Sequence, residues 1–171
     1  AKSSDKIVSA GSGSTTATAL TLKVISDALS IEHATMTSVH AYTSDQSLQD
    51  YAGADYRRSR SGAKNIIPNE TPALEWVQRS LPVVADRMTA YALNVPVQTG
   101  SMLDVTVSLS ESIQDIATIR GLFIAAEQRL PGLVETTSSP IVSSDVRNRA
   151  CSLLVDLQGT MKAGKKMVKV V

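Results

Sequence analysis

The chain has 171 residues, a formal net charge of +1, 43% hydrophobic residues and one cysteine. That length suits one domain, 1–171, burying roughly 70% of its unfolded surface, and the near-neutral charge gives no global field for nucleic acid or membrane surfaces. No apolar run reaches the ~18 residues of a membrane span, no apolar leader accompanies "AKSSDK", and Cys151 alone forms no internal disulfide, which together predict a cytoplasmic, reducing setting.

Taken in chain order, "DKIVSA" reads as a short strand and the Gly/Ser run after it as a turn. Ala17, Leu20, Val24, Ala28 and Leu29 then recur at helical spacing, predicting a helix from about Ser14 to Leu29. "IEHATMTSVHAYT" alternates through Ile31, His33, Thr35, Thr37 and Val39 and reads as a strand. His40, near its C-terminal end, is out of phase with His33 and should face the opposite side. Ser44 to Asn65 is polar and patternless, a loop of a length that is often functional. Thr71 is a candidate cap for a helix with Pro72 at its first position and Leu74, Val77 and Leu81 as its buried stripe. Pro82 ends it.

"TAYALNVPV" and "SMLDVTVSL" read as strands, the second with Leu103, Val105, Val107 and Leu109 alternating against polar residues. In "SIQDIATIRGLFIAAEQRL", Ser112 and Asp115 fit a capping box, and Ile116, Ile119, Phe123 and Ala126 form a core stripe. "PIVSSDV", "CSLLVDL" and "KMVKVV" read as further strands. Three helices and five to seven strands predict an α+β fold: a mixed, mostly antiparallel sheet with helices mainly on one face. The chain opens almost on a strand and stops inside "KMVKVV", a pattern expected of an excised domain or a truncated product.

Few residues carry chemistry. His40, at a strand end beside a loop, has the ordinary pKa of a general base, and equally suits a hydrogen-bonded structural role. Ser12, Ser14 and Thr15 stand at a helix start, where hydroxyls and free N–H groups bind an anion or cap the helix. Thr71 presents the same two readings. Arg57, Arg58 and Arg60, beside Tyr56, are read as partners of Asp50 and Asp55 or as a solvated face. Cys151 shares a strand phase with Leu153, Val155 and Leu157 and reads as buried filler. Two histidines and one cysteine argue against a dedicated metal site.

"VHAYTSDQ", "DYRRSR" and "NIIPNETPA", in order with "KIVSA", "NVPV", "LDVTVSL", "PIVSSD" and "MVKVV", resemble the C-terminal, catalytic domain of glyceraldehyde-3-phosphate dehydrogenase over nearly the whole chain. The resemblance implies a preceding domain that binds NAD or NADP, tetramers whose sheets face one another, and a cysteine nucleophile paired with the histidine matched by His40. It also implies two anion sites, to which Ser14, Thr43 and Thr71 correspond, with Asp45 as in some branches. Where the family reads "SxASCTTNCLAP", this chain reads "SAGSGSTTATAL". Ungapped, Gly13 takes the place of the cysteine and Ala17 that of the second cysteine; a shift of one brings Ser12 or Ser14 there instead. Pro72 replaces a glycine whose N–H serves phosphate, and Asn94 replaces an arginine.

These departures predict a degenerate, non-catalytic domain acting in assembly or binding, with His40 a vestigial base and no cofactor of its own. A phosphate or sulfate is expected in the cleft, through Ser12, Ser14, Thr15, Thr43 and Thr71. The alternatives are a fragment or subunit of an NAD(P)-dependent aldehyde-phosphate oxidoreductase and a hydrolase using His40 with Ser12 or Ser14. Val105, Val107, Val155 and Leu157, if they share one open sheet face, predict a homo-oligomer or assembly with related subunits.

Overall fold

The computed structural model describes residues 3–8 and 11–171. It contains helices α1 (Gly13–Ser26), α2 (Ala73–Ser80) and α3 (Ile116–Arg129). The strands are β1 (Ile31–Ala41), β2 (Ile67–Asn69), β3 (Met88–Val95), β4 (Ser101–Leu109), β5 (Val134–Thr137), β6 (Leu153–Asp156), β7 (Met161–Ala163) and β8 (Met167–Val170). Six of them form one sheet in the order β2-β3-β1-β4-β8-β7, and β5 pairs with β6 separately. Within the large sheet only β1 and β3 run parallel; the other pairs are antiparallel. The expected mixed, mostly antiparallel α+β fold is the observed one.

Strand β1 holds the centre, and its register decides what faces the helices. The pairing with β4 slips between Ile31 and His33, a bulge that turns the strand by one residue. Ile31 is therefore buried, His33 is exposed, and Ala34, Met36 and Ser38 lie buried in phase with His40. The unbroken alternation expected from Ile31 to Val39 is corrected by that slip, while His33 and His40 do face opposite sides. Met36 lies across from Val105, and Ala34 from Val107, forming the floor on which the helices pack.

The core is made by Leu22 and Ile25 of α1, Val77 of α2 and Phe123 of α3 against that floor. In α1 the buried apolar positions are Leu22, Val24 and Ile25, so Val24 of the expected stripe is in the core, while Ala17 and Leu20 only flank it and Ala28 is exposed. Thr18 and Thr21, also buried, donate to the carbonyls of Ser14 and Ala17, so the helix interior accepts hydroxyls without orphaned donors. Val105, Val107, Val155 and Leu157 lie inside this same chain, each 9% exposed or less. They are core residues and not an open face, which removes the apolar argument for assembly that rested on them.

Local chemistry moved several element boundaries. Residues 5–8 of the first expected strand form no strand, and Ser9 and Ala10 lie outside the described residues. The capping box expected from Ser112 is absent: Asp115 itself caps α3, accepting from the Ala117 amide at 3.0 Å. Ile113 is instead buried with its amide bonded to the Lys165 carbonyl, which keeps that stretch out of the helix. "PIVSSDV" forms a short 3-10 turn at Ser143–Val146 in place of a strand. The Asp145 carboxylate accepts from the Val142 amide at 2.8 Å, and such local side-chain bonds compete with a strand ladder. The short strands β2, β5 and β7 carry too little pattern to be read from sequence.

Candidate functional site

Five segments meet at one end of the sheet: the start of α1, the end of β1, the start of β4, the loop after β1, and the start of α2. They enclose an open cleft of about 840 Å³ lined by His40, Ser12, Ser14, Thr43, Thr71 and Ser101, among others. Five of the expected site residues thus converge, which the linear sequence does not show. Thr15 does not join them; it lines a separate groove of about 690 Å³ between α1 and α2, against Trp76.

His40 is fixed by two hydroxyls. Its Nδ1 lies 2.9 Å from Ser101 Oγ and its Nε2 lies 3.0 Å from Ser38 Oγ. Ser38 in turn donates to the Tyr91 carbonyl at 3.4 Å. A hydroxyl that gives away its proton accepts the next one, so this chain places the ring proton on Nε2 and leaves Nδ1 to accept from Ser101. Ser38 is legible in sequence, two residues before His40 on the same strand face. Ser101 gives no such signal, because only the β1–β4 register brings it across from His40.

Burial lowers the His40 pKa from 6.5. A histidine held neutral binds fewer protons folded than unfolded. The stability it supports is present above about pH 6.5 and is lost as pH falls through its folded value. The His40 ring resonance is expected to titrate with a midpoint below 6.5, and His40→Gln is expected to flatten the fall in urea midpoint between about pH 7 and about pH 5. A midpoint above 6.5 contradicts this.

The hydroxyl cluster at α1 is spent largely on the helix. Ser12 Oγ accepts from Thr15 Oγ1 at 3.3 Å, from the Thr15 amide at 3.5 Å, and lies 3.2 Å from Ser14 Oγ. Thr16 donates both its amide and its hydroxyl to the Ser12 carbonyl. The structure therefore gives His40 to Ser38 and Ser101, with no bond from it to Ser12 or Ser14. That nucleophile–base pair of a hydrolase is not formed. Thr71 Oγ1 likewise accepts from the Ala73 amide at 3.2 Å, but α2 starts at Ala73 with Pro72 as its N-cap residue and no side-chain cap, so the expected cap at Thr71 with Pro72 inside the helix is corrected by one residue.

Gly13 opens α1 between the two cleft serines and contributes no atom that could attack a carbonyl. A Cβ built on it meets nothing within 4 Å, so packing does not demand glycine there. The chain's one thiol is elsewhere: Cys151 is half-buried and lines, with Gly13 and Arg149, a different cavity of about 370 Å³. Burial, and then Glu135, push its thiol up, the opposite of what a nucleophile needs. It precedes β6 and is less enclosed than the filler position expected of it.

The arginine-rich loop is organised by carboxylates. Arg60 Nε meets Asp50 at 2.9 Å, and the Ser61 amide donates to the other Asp50 oxygen. Arg58 pairs with Asp45 at 3.7 Å and lines the cleft beside His40. Asp55 accepts from the amides of Arg57 and Arg58 and so shapes the turn instead of pairing with a guanidinium. Asn94, 7% exposed, donates to the Ala41 carbonyl and accepts from Asn69, each at 3.4 Å. Among the described residues, no group of three potential ligands could hold a metal ion, and no helix is long and apolar enough to cross a membrane.

The family model for the glyceraldehyde 3-phosphate dehydrogenase C-terminal domain matches residues 12–171. The chain belongs to that family. It is 39% identical over 165 residues to glyceraldehyde-3-phosphate dehydrogenase 1 of Streptomyces avermitilis, covering 96% of this chain and 49% of that protein. It is 38% identical over 169 residues to glyceraldehyde-3-phosphate dehydrogenase of Mycobacterium leprae, covering 98% and 49% respectively. Over 169 residues it is 39% identical to the enzyme of the same name from Mycobacterium tuberculosis, with 98% and 49% covered. The chain spans about half the length of the curated relatives it matches. In family terms, the structure puts the matched histidine in the cleft and Gly13 at the opening of the helix beside it.

Proposed function

We propose that this chain is a glyceraldehyde-3-phosphate dehydrogenase-like domain that has lost the family's covalent chemistry and acts through binding and assembly. The single observation that carries the reading is the glycine at residue 13: its neighbours Ser12 and Ser14 line the cleft where His40 is bonded only to hydroxyls, while Gly13 itself faces the cavity that holds Cys151. Serine hydroxyls do not replace a thiolate easily, because they are far weaker nucleophiles at neutral pH and their esters pass an acyl group to phosphate poorly. Pro72, with no N–H, and Asn94, with no charge, support the same reading.

NAD or NADP enters only through the family. No cofactor step is derived for this chain. Assembly is supported by the sheet face turned away from the helices, where Tyr91 (43%), Met102 (46%) and Met167 (47%) stand exposed. The competing reading, a part of an active NAD(P)-dependent oxidoreductase, draws on relatives that carry that enzyme's name.

The deciding measurement uses the chain and any longer chain that contains it, incubated with glyceraldehyde 3-phosphate, inorganic phosphate and NAD or NADP. The expected result is no absorbance from reduced cofactor and no covalent adduct by intact mass. Either signal above a His40→Ala control would favour the oxidoreductase reading and defeat this one.

A further inference from the structure

His40 lies between two hydroxyls that differ in exposure: Ser101 is exposed and Ser38 is fully buried. Ser101 Oγ is 2.9 Å from His40 Nδ1, a distance over which a base takes a hydroxyl proton. Ser38 orients the ring from its other nitrogen, 3.0 Å from Nε2, and is itself fixed by the Tyr91 carbonyl. That chain leaves Nδ1 unprotonated and turned to Ser101, the tautomer that a base for this hydroxyl needs. Burial keeps the ring neutral, since it lowers the His40 pKa from 6.5. A hydroxyl, a base within hydrogen-bond reach and a third group that orients the base are the arrangement of an activated nucleophile. The pair that is missing at Ser12 and Ser14 is present at Ser101.

The backbone presents this hydroxyl at a junction of two spaces. Ser101 opens β4 opposite His40 in the β1–β4 ladder. Gly100 before it has φ +91°, and a Cβ there would lie 2.5 Å from the Ser143 carbonyl, so the approach to Ser101 requires glycine. Ser101 lines the open cleft with His40 and also the separate cavity of about 370 Å³. That cavity is walled largely by apolar side chains, among them Met102, Leu103, Ile141, Val142 and Leu154. Gly13 and Ser14 line it too. Their amides precede the bond from Thr16 to the Ser12 carbonyl and have no acceptor within α1. A short apolar acyl group suits the cavity, and a leaving alcohol suits the open cleft.

We propose that Ser101 and His40 form a hydrolytic dyad for esters of short, apolar carboxylic acids. This goes beyond the binding role above and needs no thiol, phosphate acceptor or cofactor. The Ser101 oxygen bonds to the ester carbon as its proton passes to His40 Nδ1. The alcohol leaves with that proton, and the acyl group stays on Ser101. Water then gives a proton to Nδ1 while its oxygen bonds to the acyl carbon. The acid departs and the Ser101 oxygen takes the proton back. The first amides of α1 serve the oxyanion of both steps. Ser38 carries no charge, so it fixes the tautomer but stabilises the imidazolium less than a carboxylate would, and turnover is slow.

The test is hydrolysis of p-nitrophenyl butyrate by the chain at about pH 7.5, together with peptide mapping after a fluorophosphonate, which labels base-activated serines. Nitrophenol release is expected to be about a hundredfold faster than in Ser101→Ala or in His40→Gln, with the label on Ser101. A Ser101→Ala rate within about twofold of the unaltered chain overturns the proposal. So does the absence of label, or an acyl or phosphonyl group found on Ser12, Ser14 or Cys151 in place of Ser101. The label is read on the unaltered chain, so a variant that unfolds still leaves a decisive result. Reduced cofactor in the enzyme assay bears on the aldehyde chemistry alone and does not alter this outcome.

Discussion

In Gly13→Cys, the new thiol is expected to react with iodoacetamide at pH 7 about fifty times faster than Cys151, or more. The position favours a thiolate twice over. It is the first residue of α1, where the helix N-terminus stabilises negative charge, and its two neighbours, Ser12 and Ser14, line the cleft that holds His40. Thiols so placed have lowered pKa values, about 3.5–7.5, whereas burial and Glu135 push the Cys151 thiol up. The side chain has room, since a Cβ at Gly13 meets nothing within 4 Å. The change removes a helical glycine, so stability should rise by a few tenths of a kcal/mol, not fall. Peptide mapping after timed alkylation reads the two thiols separately. Adding His40→Ala should slow the new thiol while leaving Cys151 unchanged. Equal labelling of both thiols in Gly13→Cys would show that α1 and His40 do not form the environment described.

Phe123→Ala is expected to lower the free energy of unfolding by about 3–5 kcal/mol. Phe123 is the chain's only phenylalanine and is fully buried where α3 meets the core. Truncating it leaves a void lined by apolar groups that the sheet floor below cannot move to fill. Against the ~5–15 kcal/mol that holds an ordinary domain together, that loss brings the fold close to its limit. A urea titration measures it, with Ile124→Ala as the control: Ile124 is on the same helix but 47% exposed, and its loss should cost under about 0.5 kcal/mol. Comparable costs for the two would place the core elsewhere.

The periodicity of the sequence carried much of this fold. The clean alternation of Leu103 to Leu109 and the helical stripe through Ile119, Phe123 and Ala126 are patterns that only one face of a strand or helix satisfies. They were legible because burial enforces them one residue at a time. The bulge at Ile31/His33 was not legible, because an inserted residue reads as a change of phase only once a partner strand supplies the register. The 3-10 turn at Ser143–Val146 was missed for a different reason: apolar residues there suggested a strand, while Asp145 and the serines offered the backbone a closer partner.

The candidate site divides along the same line. His40, Gly13 and the hydroxyls of Ser12, Ser14, Thr43 and Thr71 were named by their residue types and by the order of motifs along the chain. Sequence by itself determined which groups these positions carry: no side chain at residue 13, no N–H at residue 72 and no cation at residue 94 are covalent facts that folding does not change. Only the tertiary structure decided that Thr15 turns to another groove, that Ser38 and Ser101 hold both nitrogens of His40, and that Asp45, Glu70 and Arg58 share its cleft. The physical reason is distance along the chain: Ser101 is 61 residues from His40. A contact between two short polar side chains so far apart is fixed by strand register, not by any local propensity that a linear reading detects.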